Sequence, residues 1–486
     1  MKNVRKWCGI LLLSGLLLLA ACMVLSFAGC SGPDRASVSS GASAEPGVSD
    51  AQDAEILLSR SESRSVYGVE TPSAEDGRLL VSQEIDQVPS EPSEPEMEEG
   101  SAASQGMPEQ GEAVMLAKRT QPAQPVEGEA RGVWFSYLTL GPLAKNKTQA
   151  EFTSNIDTAF GKIADEGFNT VFAQVRPFAD ALYQSDYFPW SYLLTGTEGE
   201  NPGYDPLEIM CEIADKHGLR IEAWINPYRV RLSGYKDALS SKNQARKWLK
   251  SGSDSVVEWN GGIYYNPGSA QARALIVNGV KEIVANYNVD GIHFDDYFYP
   301  TTDMAFDQAT WRAAKSSLPQ ADWRRENVNQ LVREVYAAVK SIDPNCLFGI
   351  SPQGNTQNNY NGQFIDVEKW LANPGYLDYI CPQIYYGFEN GTNPYAQTVE
   401  KWDRMIKVPT IKLYVGIAAY KLGTEDQWAG AGSGEWLNTE DILARMVETA
   451  RKASHYGGFA IYSYDSLFST DTPQVRIERE NLKKIL

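Results

Sequence analysis

Histidine and cysteine are scarce in this 486-residue sequence, and their scarcity excludes several kinds of active site. Of the 6 Cys, only Cys211, Cys346 and Cys381 follow residue 30, and their spacing matches neither a disulfide framework nor a zinc site. We expect buried thiols, with a Cys346–Cys381 disulfide as the alternative. The 3 His form no acid–base set, no Gly-x-Ser-x-Gly sequence indicates acyl transfer, and no glycine-rich phosphate loop follows the first predicted strand. The sequence therefore predicts neither a metal nor a cofactor.

The chain also has no excess of basic residues, and its formal net charge is −18. Most of this charge lies in residues 31–129, which contain 20 acidic and 6 basic residues and are rich in Ser, Pro, Gly, Ala and Glu, as in "PSEPSEPEMEEG". Such a segment has too little apolar content to bury a core and is predicted to be a disordered, extended linker. The low pI describes the linker, and no basic patch predicts a nucleic-acid partner.

The first 30 residues resemble a secretory signal. Lys2, Arg5 and Lys6 precede a charge-free apolar run from Trp7 to Gly29. The run contains "LAAC" at Cys22 and ends in "FAGC" at Cys30, and both are similar to the lipobox of bacterial lipoproteins. We favour lipidation at Cys30, with Cys22 as the alternative, and an uncleaved membrane anchor as the other interpretation. All of these predict an extracytoplasmic protein held at the cell membrane.

Residues 130–486 repeat one unit, in which a short β-rich run is followed by a loop and an amphipathic helical pattern. Eight such runs are present: 130–138, 169–177, 220–228, 289–297, 346–354, 377–387, 412–420 and 457–466. Eight β-then-α units in about 350 residues predict a (β/α)8 TIM barrel. An open doubly wound sheet is the alternative, but it rarely needs eight strands of such even length. Residues 229–268 are predicted to be an insertion after the third strand.

Barrel enzymes carry their chemistry at the C-terminal ends of the strands, so the polar residues there are the candidate site. The candidates for substrate binding are Arg176, Asp180, Trp224, Asn226, Tyr228, His293, Tyr297, Gln353, Gln383, Tyr385 and Asp465. Aromatic, amide and acidic side chains together are typical of a site for sugar rings. Arg176 is expected to be either a buried partner of an acid or a substrate contact, and Trp224, Tyr228 and Tyr385 either packing or stacking residues.

The segment "VDGIHFDDYFYP" (289–300) supplies the candidate catalytic acids, Asp295 and Asp296. Alternate side chains of a strand share a face. Ile292 and Phe294 should therefore face the helices, while His293 and Asp295 point into the barrel. Asp295 is the stronger candidate. Asp296 lies where the strand enters its loop, and capping of that loop is the alternative role. His293 is either an inner hydrogen-bonding support or a substrate contact.

The motifs "ARGVWFSY", "GIHFDDYFYP", "GISPQG", "DYICPQIYYGF" and "GGFAIYSYDSL" resemble those of the bacterial glycosyl-hydrolase-like family ten. The resemblance covers essentially all of 130–486. It implies a (β/α)8 glycoside hydrolase of the cell envelope and, for some relatives, cleavage of peptidoglycan glycan strands stripped of their peptides. "DGIHFD" is also similar, more distantly, to the fourth-strand motifs of α-amylase-type and chitinase-type enzymes. Both comparisons agree on Asp295, but the amylase-type Arg falls on His293 and the last chitinase-type acid falls on Tyr297.

Glycoside hydrolysis generally needs two carboxyl groups. Asp296 is the leading partner of Asp295, and the alternatives are Asp180, Asp465 and Glu389. The substrate's own acetamide is a further candidate nucleophile. Two rival interpretations stay open: a glycan-binding lipoprotein without activity, and a hydrolase of another extracellular polysaccharide. The partners predicted are a glycan and, through the N-terminal anchor, the membrane.

Overall fold

The computed structural model describes residues 119–123, 128–235 and 237–486. The predicted signal, both candidate lipidation cysteines and almost all of the predicted linker lie outside these ranges. In the described ranges, no helix combines the length and the apolarity needed to cross a membrane.

Eight parallel strands close into a barrel and three further strands form a separate antiparallel sheet. In chain order the strands are β1 Ala130–Phe135, β2 Thr170–Arg176, β3 Arg220–Ile225, β4 Arg229–Arg231, β5 Val256–Trp259, β6 Gly262–Tyr265, β7 Gly291–Phe294, β8 Leu347–Ile350, β9 Tyr379–Ile380, β10 Lys412–Ala418 and β11 Tyr456–Tyr462. The barrel order is β1-β11-β10-β9-β8-β7-β3-β2, with β2 paired to β1. The predicted (β/α)8 barrel is confirmed.

Helices separate the barrel strands. The α-helices are α1 Tyr137–Ala144, α2 Gln149–Asp165, α3 Tyr192–Thr195, α4 Pro206–Lys216, α5 Gln244–Ser251, α6 Ala270–Asn286, α7 Gln308–Ala313, α8 Gln320–Ile342, α9 Thr356–Gly362, α10 Val367–Ala372, α11 Tyr395–Met405, α12 Glu435–Asn438, α13 Ile442–Ala450 and α14 Pro473–Lys483. Their boundaries follow local signals. Thr148 and Glu151 form a capping box at the start of α2, and Gly167 adopts φ +91° just beyond its end.

The segment 229–268, predicted to be an insertion, contains the antiparallel sheet β4-β6-β5 and helix α5. The segment follows the C-terminal end of β3 and leads into α6. Because it follows the C-terminal end of a barrel strand, it lies on the face where (β/α)8 enzymes carry their sites.

The barrel has two apolar layers. Outward-facing residues such as Val171, Ile292 and Phe294 pack with the helices in the larger core. The interior holds a separate cluster of Ala130, Trp134, Phe172, Trp224, Tyr379, Cys381, Tyr414 and Ala460. Gly349 of β8 is required there, because a Cβ at this position would overlap the ring of Tyr379. Cys211, Cys346 and Cys381 are buried free thiols, so the alternative Cys346–Cys381 disulfide is not formed.

The chain enters the barrel from its N-terminal end. Arg119, which the sequence assigned to the linker, pairs with Asp343 at 2.7 Å and donates to the carbonyl of Val284 at 3.1 Å. The cation thus lies at the C-terminal end of α6, where the helix dipole favours positive charge. A buried ion pair therefore holds Arg119 against the barrel domain.

Candidate active site

Asp295 and Asp296 directly follow β7, and both are buried, with 3% and 5% of their surface exposed. Asp295 turns toward β3: Nε1–H of Trp224 donates to its Oδ2 at 3.0 Å, and the backbone N–H of Tyr297 donates to Oδ1 at 3.3 Å. The alternation argument therefore gave the correct direction for Asp295. Burial and, to a smaller extent, the charge of Asp296 raise the pKa of Asp295 to about 7, against the lowering effects of Arg229 and of the two hydrogen bonds.

Asp296 turns the other way, toward β8 and β9. Nε2–H of Gln383 donates to its Oδ1 at 3.1 Å and also to the carbonyl of Ser351 at 3.0 Å. Burial raises the pKa of Asp296, while hydrogen bonds from Gln353 and Gln383 lower it. The side chain of Asp296 is thus held by two amide groups and by a backbone hydrogen bond at the start of the loop. Two consecutive residues present two carboxyl groups in different environments.

Arg229, the first residue of β4, lies near the acid pair and is not among the residues predicted from the sequence to form the site. Its positive charge lowers the pKa of both Asp295 and Asp296. The guanidinium lies 4.9 Å from the ring centre of Phe178 and 5.2 Å from that of Tyr297, and its Nε–H donates to the carbonyl of Pro177 at 3.2 Å. A cation stacked on aromatic rings beside an acid pair is not visible from strand periodicity, because the contact is formed by two loops.

His293 lies below the acids and has no exposed surface. Its Nε2 accepts a hydrogen from Nε1–H of Trp134 at 3.1 Å, so Nδ1 carries the proton and faces the hydroxyl of Tyr379 at 2.8 Å. That hydroxyl donates to Glu222 at 2.5 Å. Burial lowers the pKa of His293 to about 3. Of its two expected roles, the geometry favours the inner hydrogen-bonding support, because both ring nitrogens are occupied.

Aromatic side chains lie beyond Asp296 on the C-terminal face of the barrel. The rings of Tyr385, Tyr420 and Tyr462 lie about 6 Å apart, at 5.8, 6.0 and 6.1 Å between centroids. The charge of Asp296 contributes to a raised pKa of Tyr385, which places that ring near the acid. Tyr420 is exposed. Tyr385 therefore lines the side of the site next to β9 and β10, as a sugar-stacking role requires, whereas Tyr228 packs in the buried core against Phe298.

Three other candidates have direct contacts with neighbouring loops. The guanidinium of Arg176 forms no ion pair in the described ranges and lies 4.6 Å from the ring centre of Phe188; burial lowers its pKa, and the charges of Asp295 and Asp180 act in the opposite direction. Asn226 accepts from the backbone N–H of Arg229 at 3.0 Å. Asp465 accepts from the hydroxyls of Thr139 and Ser469. A substrate contact of these three residues stays a prediction.

Asp180 and Glu389, the other alternative acids, also lie elsewhere. Asp180 lines a cavity between the loop after β2 and the 229–268 segment. The backbone N–H of Glu389 donates to Glu435 at 2.9 Å, and both residues line a separate polar cavity. In the described ranges no group of three or more His, Cys, Asp or Glu side chains is arranged to hold a metal ion.

The barrel, the buried acid pair on its C-terminal face and the aromatic and amide groups around that pair define a (β/α)8 glycoside hydrolase. Within that class, the chain belongs to the family described as glycosyl hydrolase-like 10, which matches residues 129–431. It is 34% identical over 353 residues to the glycosyl hydrolase YngK of Bacillus subtilis (strain 168), covering 68% of each chain. It is 37% identical over 286 residues to the glycosyl hydrolase DigH of Escherichia coli (strain K12), covering 53% of this chain and 63% of that one.

Among solved structures, the PgaB (BpsB) glycoside hydrolase domain of Bordetella bronchiseptica aligns with a TM-score of 0.47 and 12% identity, over 73% of this chain and 99% of that one.

Proposed function

We propose that this protein hydrolyses glycosidic bonds in N-acetylated glycan strands, with peptidoglycan as the substrate and Asp295 and Asp296 as the catalytic pair. The observation that carries the proposal is the environment of the pair. Asp295 is buried with a pKa of about 7, while Asp296 is held by the amides of Gln353 and Gln383. The pKa of Asp295 lies close to neutral pH, as a general acid requires, and the hydrogen bonds that Asp296 accepts favour its ionised form, so the two environments suit the two roles that glycoside cleavage needs.

In the proposed reaction, the carboxyl proton of Asp295 moves to the leaving glycosidic oxygen as the bond to the anomeric carbon breaks. Asp296 orients the acetamide group of the sugar, whose carbonyl oxygen attacks the anomeric carbon. Water then opens the cyclic intermediate and returns a proton to the pair. We favour this substrate-assisted course because the two carboxyl groups belong to consecutive residues of one strand end, rather than to opposite sides of the barrel.

The surrounding side chains suit this chemistry. The positive charge of Arg229 favours the ionised form of Asp296, and the indole of Trp224 fixes the orientation of Asp295. Tyr385 and the exposed ring of Tyr420 offer flat surfaces for neighbouring sugar rings. These contacts support a glycan substrate without defining its linkage.

The test compares intact and peptide-free peptidoglycan as substrates and measures new reducing ends. Wild-type protein should release them from the peptide-free strands, and Asp295→Asn should lower the rate by at least about 100-fold. Asp465→Asn is the matched control, because it removes an acid at the end of another barrel strand. If wild-type protein binds both glycans and cleaves neither, it is a glycan-binding protein. Cleavage of other polysaccharides alone identifies the rival hydrolase.

The substrate-assisted course has its own test. A glycan with free hydroxyl groups in place of the acetamides should bind and not be cleaved. Equal cleavage of both would exclude participation of the acetamide and leave Asp296 as a direct nucleophile or base.

We further propose that the protein is extracytoplasmic and lipid-anchored through Cys30. The sequence supports this proposal, because Lys2, Arg5 and Lys6 precede an apolar run that ends in "FAGC" at Cys30. Labelling with a fatty-acid probe in cells should disappear in Cys30→Ser and persist in Cys22→Ser. The reverse result would assign the anchor to Cys22. If neither the wild-type protein nor the two variants are labelled, a lipid anchor is excluded.

A further inference from the structure

A second cavity lies beside the acid pair, between the loop after β2 and the 229–268 segment. Its volume is about 280 Å³. The two segments that line the cavity both follow the C-terminal ends of barrel strands, so the cavity lies on the same face of the barrel as Asp295. Small-molecule pockets usually measure about 300–1,000 Å³, and this cavity is therefore limited to a single compact unit.

Asp180 is the most informative residue of this cavity. Only 2% of its surface is exposed. Its Oδ2 accepts from the backbone N–H of Tyr192 at 3.2 Å, whereas Oδ1 has no hydrogen-bond donor in the described ranges. A buried acceptor without a donor costs about 1–3 kcal/mol. A ligand that places a hydroxyl hydrogen on Oδ1 removes that cost.

Glu198 provides a second carboxyl group that is already fixed in position. Nδ2–H of Asn243 donates to its Oε1 at 2.7 Å. The same Asn243 amide donates to the carbonyl of Ala179 at 3.0 Å, and its oxygen accepts from the backbone N–H of Ala245 at 2.9 Å. Asn243 thereby joins the loop after β2 to the start of α5. The polar wall of the cavity is built before any ligand arrives.

Aromatic side chains also line the cavity. The rings of Tyr192 and Tyr235 lie 4.9 Å apart between centroids, and Tyr235 is 39% exposed. Val230 and Leu239 add apolar surface. Aromatic rings together with two hydrogen-bond acceptors match a pyranose ring, which has an apolar face and hydroxyl groups at its edge.

The charges in the cavity select among sugar units. The negative charge of Glu198 acts on Asp180, and burial keeps both carboxyl groups poorly solvated. A carboxylate on the ligand would add a third acidic group beside two whose ionisation burial already disfavours. Arg176 and Arg231 keep their positive charges and offset part of this field, and Arg231 also donates to the carbonyl of Asp237 at 2.8 Å.

The cavity is separated from the catalytic pair by one layer of side chains. Phe178 lines the cavity, and its ring packs 4.9 Å from the guanidinium of Arg229. Arg229 in turn acts on Asp295 and Asp296. We infer that the cavity is a subsite for one neutral, hydroxyl-bearing sugar unit of the glycan, and that it disfavours units carrying a carboxylate. This inference rests on the proposed function.

The binding test uses the full chain carrying Asp295→Asn, to prevent turnover, and calorimetry with a neutral β-1,4-linked N-acetylglucosamine oligosaccharide. Adding Asp180→Asn or Tyr235→Ala should weaken binding at least about tenfold. Tyr235 lies at the surface, so its removal spares the fold even if Asp180→Asn does not. Trp428→Ala is the matched control, an exposed aromatic residue outside the cavity, and should bind as the parent does.

An oligosaccharide that carries a carboxylate on its sugar units should bind the parent at least about tenfold more weakly. Equal binding of the two oligosaccharides would overturn the preference for neutral units.

Kinetics separate this inference from the proposed function. In the otherwise wild-type chain, Tyr235→Ala should raise KM for long glycan strands while kcat, and turnover of a short aryl glycoside, stay unchanged. If wild-type protein cleaves glycan and Tyr235→Ala keeps its KM, the subsite is wrong and the proposed function stands. If wild-type protein neither binds nor cleaves any glycan, both fail together.

Discussion

The indole of Trp224 and the carboxyl group of Asp295 are joined across neighbouring barrel strands, with Nε1–H donating to Oδ2 at 3.0 Å. Trp224 pairs in register with His293, two residues before Asp295, so the ring reaches over the top of β7. Burial raises the pKa of Asp295, and this hydrogen bond is one of the contacts that oppose the rise and leave the pKa at about 7. The contact thus sets both the direction of the carboxyl group and the pH at which it loses its proton.

Removal of this donor should move the pH dependence of activity. In Trp224→Phe the ionised form of Asp295 loses a hydrogen bond, so its pKa should rise by about one pH unit. If protonated Asp295 is required, activity falls as pH rises through this pKa, and the alkaline limb of kcat/KM should move upward from about pH 7. Trp370→Phe is the matched control, because Nε1–H of Trp370 donates to Asn329 away from the site. An alkaline limb at the same pH in Trp224→Phe and wild type would mean that Asp295 is not the titrating acid.

The raised pKa of Asp295 also predicts that its ionised carboxylate destabilises the folded protein at high pH. The folded-state pKa of Asp295, about 7, lies above its ordinary value of 3.8. Ionisation therefore costs stability as pH rises from about 4 to about 7, and the full cost is present above that range. Asp295→Asn should unfold at a higher temperature than wild type at pH 8, and the difference should shrink toward pH 4. Thermal unfolding at a series of pH values measures it.

Asp157→Asn provides a control of opposite sign. Hydrogen bonds from Lys216 and His217 lower the pKa of exposed Asp157, so its contribution to stability is present above about pH 4 and is lost as pH falls. The asparagine variant should match wild type at low pH and be slightly less stable at neutral pH. An Asp295→Asn protein that is less stable than wild type at pH 8 would contradict the buried-charge argument.

The sequence was sufficient for the barrel and for the direction of Asp295, because both follow from strand periodicity. Eight β-rich runs correspond to the eight barrel strands, and Ile292 and Phe294 face the helices while His293 faces inward. The β-rich runs predicted from the sequence are longer than the strands in the structure. For example, 377–387 contains only Tyr379–Ile380 as a strand, since the following residues already belong to the loop that carries Gln383.

Side chains beyond the strand ends could not be placed in the same way. Strand pairing between β2 and β3 shifts register between Gln174 and Arg176, so alternation does not carry over to Arg176. Asp180 and Asp465 follow strand ends in the sequence, as Asp295 does, but their loops turn them toward other partners. Arg229 shows the converse: its position near the acids depends on packing against Phe178 and Tyr297, which no sequence period encodes.

The buried chain of hydrogen bonds beneath the acids should contribute to stability rather than to the rate. The hydroxyl of Tyr379 lies between Nδ1 of His293 and Oε2 of Glu222, and Tyr379→Phe leaves both without this partner. We expect a loss of about 1–3 kcal/mol in the free energy of unfolding. Tyr228→Phe makes the same change at an equally buried ring whose hydroxyl has no hydrogen-bond partner in the described ranges, and it should be nearly neutral. Urea unfolding measures both.

Because His293 does not reach the substrate in this arrangement, the kcat of Tyr379→Phe should stay within about threefold of wild type below its unfolding temperature. A selective loss of kcat without loss of stability would instead make the chain part of the proton path to Asp295.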